Sequence, residues 1–344
     1  MNRRQYLTRT GIPLATLAAT AGCLDDLPGS DSSDDSVAVA DRTGDRELDR
    51  AVGELNEAAL ALFAADDFEE PTDVEFDASV PTERIESARA HLETAADELD
   101  DDRESEIELL RTYAGVLERL VDVTETVTDE TLEADLEAVF DAIGGDDAAD
   151  GDEGGDDADS DDESADDDDL EAASATIDER TDEFAVAETN HAEAAADVES
   201  FDEAFERLVR IDPAELADGV ATLGDAVGSL VTLGDGLESL LGGYEDLQTG
   251  REHMENQAYG KAETAFGNAQ STFETATTTL EEDEEPPGGI ADHVDTAICQ
   301  SEHLTDAAAA FEEWAIAAAD GEPVAAQNHK ETGEESVDAA GDCT

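Results

Sequence analysis

The chain has 344 residues, of which 95 are acidic and 17 basic, for a net charge of -78 and a mean hydropathy of -0.46. This balance excludes nucleic acid as a partner, because neutralising phosphates takes Lys and Arg and no basic patch follows residue 23. Self-repulsion at this density opposes compaction where the Debye length is about 8 Å and fades where molar salt shrinks it to about 3 Å.

The first segment is MNRRQYLTRTGIPLATLAATAGC. Arg3 and Arg4 precede an apolar run from Gly11 to Gly22, which is shorter than the roughly 20 residues of a spanning helix. Immediately after Cys23 the chain turns polar, at Leu24-Asp25-Asp26. Arg3 and Arg4 followed by Tyr6 and Leu7 resemble the twin-arginine export signal, and Thr20-Ala21-Gly22-Cys23 resembles a lipobox. The resemblance implies removal of residues 1–22, a lipid on Cys23, and display on the outer face of the cytoplasmic membrane. About 0.8 kcal/mol per buried CH₂ of the lipid would then supply the membrane attachment. Repulsion from anionic headgroups leaves that lipid as the only contact with the bilayer.

Lys261 and Lys330 are the only lysines, and the acids fall on helical faces as well as in loops. With Ala, Val and Thr favoured over bulky apolar residues, this pattern is similar to that of proteins from halophilic archaea.

Residues 23–45, rich in Asp, Ser and Gly, read as a disordered tether after the signal. Block 1 spans 46–143. Leu48, Val52, Leu55, Ala59 and Leu62 recur at helical spacing, and Pro81 starts a helix carrying Ile85, Ala88, Leu92, Ala95 and Leu99. Two further stripes run from Ile107 to Val121 and from Leu132 to Ile143, and four such helices are expected to bury their stripes against one another. Residues 144–169 consist of Asp and Glu interspersed with Gly, Ala and Ser, and read as a disordered linker. Aligning Asp146 with the first position of a calcium loop leaves Ala148 at a ligand position, so that motif is not met.

Block 2 spans 170–344. Asp212-Pro213 is a cap followed by Pro at the first helical position, launching a Leu/Val stripe from Leu216 to Leu241. Asp225 and Asp235 argue against that helix crossing a bilayer. A helix pair is expected from Tyr244 to Glu281, broken near Tyr259-Gly260, and another from Ile290 to Ala340, turning at Asp320-Gly321-Glu322.

The fold class is therefore all-α, with antiparallel helix pairs and no strand-like alternation. Gly250, Ala262, Phe266 and Ala269, with Tyr259 at the turn between helices, sit at the offsets of the small, small, aromatic and small positions of the tetratricopeptide repeat, which they resemble. Related fragments are Ile85-Ala88-Leu92-Ala95 and Phe201-Ala204-Leu208-Ile211. The resemblance implies a solenoid; the periodicity alone fits an irregular bundle equally well.

Cys299 and Cys343 are expected to form a disulfide in an oxidising compartment. The competing reading is metal ligation by Cys299, Cys343 and His303, since Cys299 and His303 lie four apart on one helix face. No nucleophile elbow, zinc-protease pair or phosphate-cradling loop occurs, and no cofactor is expected. Trp314 and Phe311 form the one bulky cluster near the end, assigned to core packing. These features point to a noncatalytic, lipid-anchored interaction protein that binds an envelope protein or peptide. The alternative is a solute- or metal-binding lipoprotein associated with a transporter. If brine mutes the repulsion, far-UV circular dichroism should show helicity and melting temperature falling steeply as KCl is lowered from molar to 0.1 M, whereas an ordinary helical protein would hold both.

Overall fold

A computed structural model describes residues 34–63, 74, 76–144, 163–283 and 286–343. The expected signal of residues 1–22 with Arg3 and Arg4, and Cys23 with its expected lipid, lie outside the described residues. Those described form ten α-helices and no strand: α1 (Asp34–Leu62), α2 (Ser79–Glu98), α3 (Glu104–Val127), α4 (Leu132–Gly144), α5 (Glu163–Glu199), α6 (Glu203–Val209), α7 (Pro213–Glu255), α8 (Tyr259–Leu280), α9 (Gly288–Ala319) and α10 (Pro323–Gly341).

Two boundaries differ from expectation. Helix α1 begins at Asp34, inside the expected tether of residues 23–45, and α5 begins at Glu163, inside the expected linker of residues 144–169. Acidic composition reads as disorder, yet the positive end of the helix dipole favours carboxylates in a first turn, so an acidic run is compatible with a helix start.

The centre of the molecule is α7, 43 residues and about 65 Å long, launched where the Asp212 side chain accepts from the Ala214 N–H at 2.9 Å. It runs unbroken through Gly242-Gly243, where the sequence suggested a new helix at Tyr244. The break comes at Asn256–Ala258, with Gln257 at φ 56°. Helices α5, α8, α9 and part of α3 pack along α7, so apolar residues on several of its faces are buried, among them Leu223, Leu230, Leu233, Leu240 and Leu247. This is the one helix, among the described residues, long and apolar enough to cross a membrane. In that apolar window 44% of the residues are buried against neighbouring helices.

Helices α7 to α10 follow one another through short turns, each packed on the last. The turn from α9 to α10 passes through Gly321 at φ 72°, a left-handed conformation that costs glycine little. At the other end, α1, α2 and α3 pack mutually, and α3 lies against α5. Helix α4 leaves its expected partners in block 1 and packs on α5, α9 and α10. One continuous apolar cluster therefore runs through both blocks. The fragment at Phe201–Ile211 is not a repeat: only Glu203–Val209 is helical, and Phe201 stacks on Phe205 at 4.1 Å.

Close approach to α7 depends on missing side chains. A Cβ on Gly250 would lie 2.4 Å from Cε1 of Phe266, and one on Gly243 would lie 2.6 Å from Cε1 of Phe273, both phenylalanines being fully buried. Gly228 meets nothing within 4 Å. Gly250→Ala should therefore destabilise by about 1–3 kcal/mol through overpacking. Gly228→Ala should stabilise by up to about 1 kcal/mol through helix propensity. Thermal unfolding of both variants in molar salt checks the opposite signs.

Candidate binding groove

A cavity of about 1170 Å³ opens where α4 and the start of α5 face α7, α9 and α10. Its floor is apolar and aromatic: Phe311, Met254 and Tyr244 are buried, and Trp314, the sole tryptophan, is half-buried. Phe311 sits 5.9 Å from Trp314 and 5.5 Å from Phe266, so the floor continues into the α7–α8 core. A Cβ on Gly333 of α10 would meet Phe311 at 2.5 Å, which shows how closely α10 is seated on that ring.

Two cations share this floor. The Arg251 guanidinium lies 5.0 Å over Phe311, and the Lys330 ammonium 5.8 Å from Trp314, both in cation–π range. Lys330 also pairs with Glu334 at 3.1 Å. Both cations are half-buried, whereas the lining acids Asp141, Asp169, Glu255, Glu334 and Asp338 are all exposed. The groove thus has an aromatic floor that carries two cations, Lys330 paired with Glu334, inside an acidic rim. An anionic or aromatic group fits the floor, and basic groups fit the rim.

Helix α4 is held over the groove by an ion network at its start. Arg180 of α5 donates to Asp129 at 2.9 Å, to Asp135 at 2.9 Å through Nε, and to Glu183 at 2.8 Å. Burial alone would lower the Arg180 pKa, but the hydrogen bonds to Asp135, Asp129 and Glu183 more than offset this and hold it above its usual value. On Asp129, burial acts upward, and the bonds from the Thr131 backbone and Arg180 outweigh it, so its pKa falls below the ordinary carboxylate range. At the far end of α4, His293 of α9 stacks on Phe140 at 6.0 Å, and burial lowers its pKa despite Glu133, Asp292 and Glu137 nearby.

The expected site residues that are described fall in two places. Gly250 and Phe266 meet directly, Ala262 and Ala269 are fully buried beside them, and Tyr259 is half-buried at the first position of α8. Cys299 and Cys343 are bonded, with Cα atoms 6.0 Å apart, which ties the end of α10 to α9. The ligand atoms of Cys299, His303 and Cys343 all lie within 4.8 Å of one another. Arg251, Tyr244 and Met254 were not singled out by pattern, because nothing in α7 marks which face meets α10. Trp314 and Lys330 carried the available signal, as the only tryptophan and one of two lysines. Trp314 lines the cavity and so is not wholly a core residue.

A second buried polar feature lies away from the groove. The Tyr113 hydroxyl is fully buried with no hydrogen-bond partner among the described residues, its ring edge-on to Phe205 at 5.0 Å, and burial raises its pKa. Searches against family models, curated proteins and solved structures return no match.

Arg180→Ala would leave three carboxylates facing one another without their cation. It should cost about 2–3 kcal/mol, below the range for a wholly buried pair because the acids are partly exposed. Asp129, with its depressed folded pKa, contributes stability at pH values above its unfolded pKa of about 3.9, and that contribution is lost as pH falls through the folded pKa. Chemical denaturation of wild type and Arg180→Ala at pH 7 and pH 3 should show the gap between them narrowing in acid.

Proposed function

We propose that the protein is a lipid-anchored, extracytoplasmic, noncatalytic interaction module of a halophilic archaeon, exported through its paired arginines, anchored at Cys23, and binding an envelope protein or peptide. The observation that carries the binding half of this reading is the aromatic floor of the groove with two cations over its rings. In a chain with 95 acids, the two half-buried cations Arg251 and Lys330 share one cavity with Trp314. Aromatic faces and a cation are the groups that dominate protein contacts energetically. The helix stack α7 to α10, with Gly250 opposite Phe266, supports a tetratricopeptide-like presentation of that groove. The address half rests on the residues of the N-terminal segment.

A second reading, a solute- or metal-binding lipoprotein serving a transporter, draws support from the size of the cavity and from the proximity of Cys299, His303 and Cys343. Partner binding separates the two. Affinity enrichment from envelope fractions in molar salt should recover a partner with wild type, and Trp314→Ala or Arg251→Gln with unchanged circular dichroism should lose at least about tenfold of it, the scale of one hot-spot residue. Equal recovery by the variants would place binding elsewhere. For the address, Cys23→Ser should release the protein from membranes into the medium, and Arg3→Lys with Arg4→Lys should leave it inside the cell. A Cys23→Ser protein that still fractionates with membranes would contradict the lipid anchor.

A further inference from the structure

We propose that Cys299, Cys343 and His303 form a redox-gated site for a thiophilic metal cation, closed while the disulfide is intact and opened by its reduction. The inference is independent of the groove. His303 follows Cys299 by one helical turn on α9, so both side chains share a face, and the end of α10 brings Cys343 to the same spot. The three ligand atoms already lie within 4.8 Å of one another. A tetrahedral site with metal–sulfur bonds of about 2.3 Å and metal–nitrogen bonds of about 2.1 Å needs ligand separations of roughly 3.4–3.8 Å. In the proposed site the sulfurs, once freed, part to that spacing by side-chain rotation while α9 and α10 stay in place. All three residues are half-buried, accessible to a small reductant and a cation yet largely removed from bulk solvent.

The chemistry selects the ligand. Two thiolates and an imidazole form a soft, nitrogen–sulfur set that suits Zn²⁺ or Cu⁺ and disfavours Ca²⁺ and Mg²⁺, the cations the chain's carboxylates attract loosely. A three-ligand set leaves a fourth position open for water or an exchanging ligand. Opening takes two electrons: a dithiol reductant cleaves the S–S bond, each cysteine sulfur gains a proton, and the reductant leaves as its own disulfide. Metal binding then displaces the two thiol protons with no change in metal oxidation state.

The test uses the full chain carrying Cys23→Ser, so that only two thiols contribute, in molar KCl, where loose association with carboxylates is screened. Oxidised and reduced protein are titrated anaerobically with Co²⁺, followed by Zn²⁺ competition. The reduced form should take up one Co²⁺ per chain, with thiolate-to-metal absorption in the near ultraviolet that Zn²⁺ abolishes. The oxidised form and the reduced Cys299→Ser/Cys343→Ser variant should show no such band. His303→Ala should weaken binding by about tenfold or more and alter the visible bands. Circular dichroism monitors α10, whose helicity should be the same in the oxidised, reduced and metal-bound protein. Reduced protein lacking the charge-transfer band, reduced protein that loses helicity, or a His303→Ala variant indistinguishable from wild type would each overturn the proposal.

Discussion

Bulky side chains seated directly on glycine backbone along α7 set the geometry of this molecule. Phe273 occupies the space over Gly243, Phe266 that over Gly250, Leu280 that over Gly236 and His191 that over Gly224. Each contact would collide with a single methyl group. The arrangement suits a chain of 4% aromatic residues, whose core is otherwise built largely from Ala, Val and Leu. With small residues on one helix, neighbours come close enough for modest side chains to fill the space between them. Burying each phenylalanine contributes about 2–3 kcal/mol only because the glycine opposite leaves room for it. The route of α8 along α7, and through α8 that of α9 and α10, follows from these seats.

The scarce cations complete the assembly. Arg84 of α2 reaches Glu54 and Glu57 of α1, Arg89 of α2 reaches Glu118 of α3, and Arg119 of α3 reaches Glu193 and Asp197 of α5. Arg180 ties α5 to the start of α4. In each case an arginine joins two helices that also share apolar surface, so acids that would repel across the interface are bridged. Exposed pairs of this kind contribute little individually in water, and salt screens them further. Their value lies in placing a positive group at these four junctions between acidic helices. Arg251 and Lys330 are used differently, lying over aromatic rings in a cavity, and that contrast is what marks the groove.

Much of the helix order was legible because apolar stripes at spacings of three and four survive between the acids. Leu48, Leu55 and Leu62 in α1, or Ile85, Ala88, Leu92 and Ala95 in α2, are buried on the faces that their spacing indicates. Helix starts in acidic runs were not legible, since composition alone cannot separate a solvated first turn from a linker. Nor was the continuity of α7 through Gly242-Gly243, because a glycine pair ordinarily reads as a break and here one of the two is a seat for Phe273. The docking of α4 on α5, α9 and α10 was hidden as well, since an amphipathic stripe declares that it needs a partner without saying which. The groove inherits that blindness: its residues come from five helices, and only the rarity of Trp314 and Lys330 distinguished any of them.

Native-state hydrogen exchange in molar salt tests the central role of the α7 seats most directly. If they organise the fold, amides from Leu237 to Gly250 should exchange only through global unfolding, with protection matching the full unfolding free energy, while the exposed faces of α2 and α10 open at lower cost. Exchange of that segment by local opening, at rates equal to those of α2 or α10, would contradict the account.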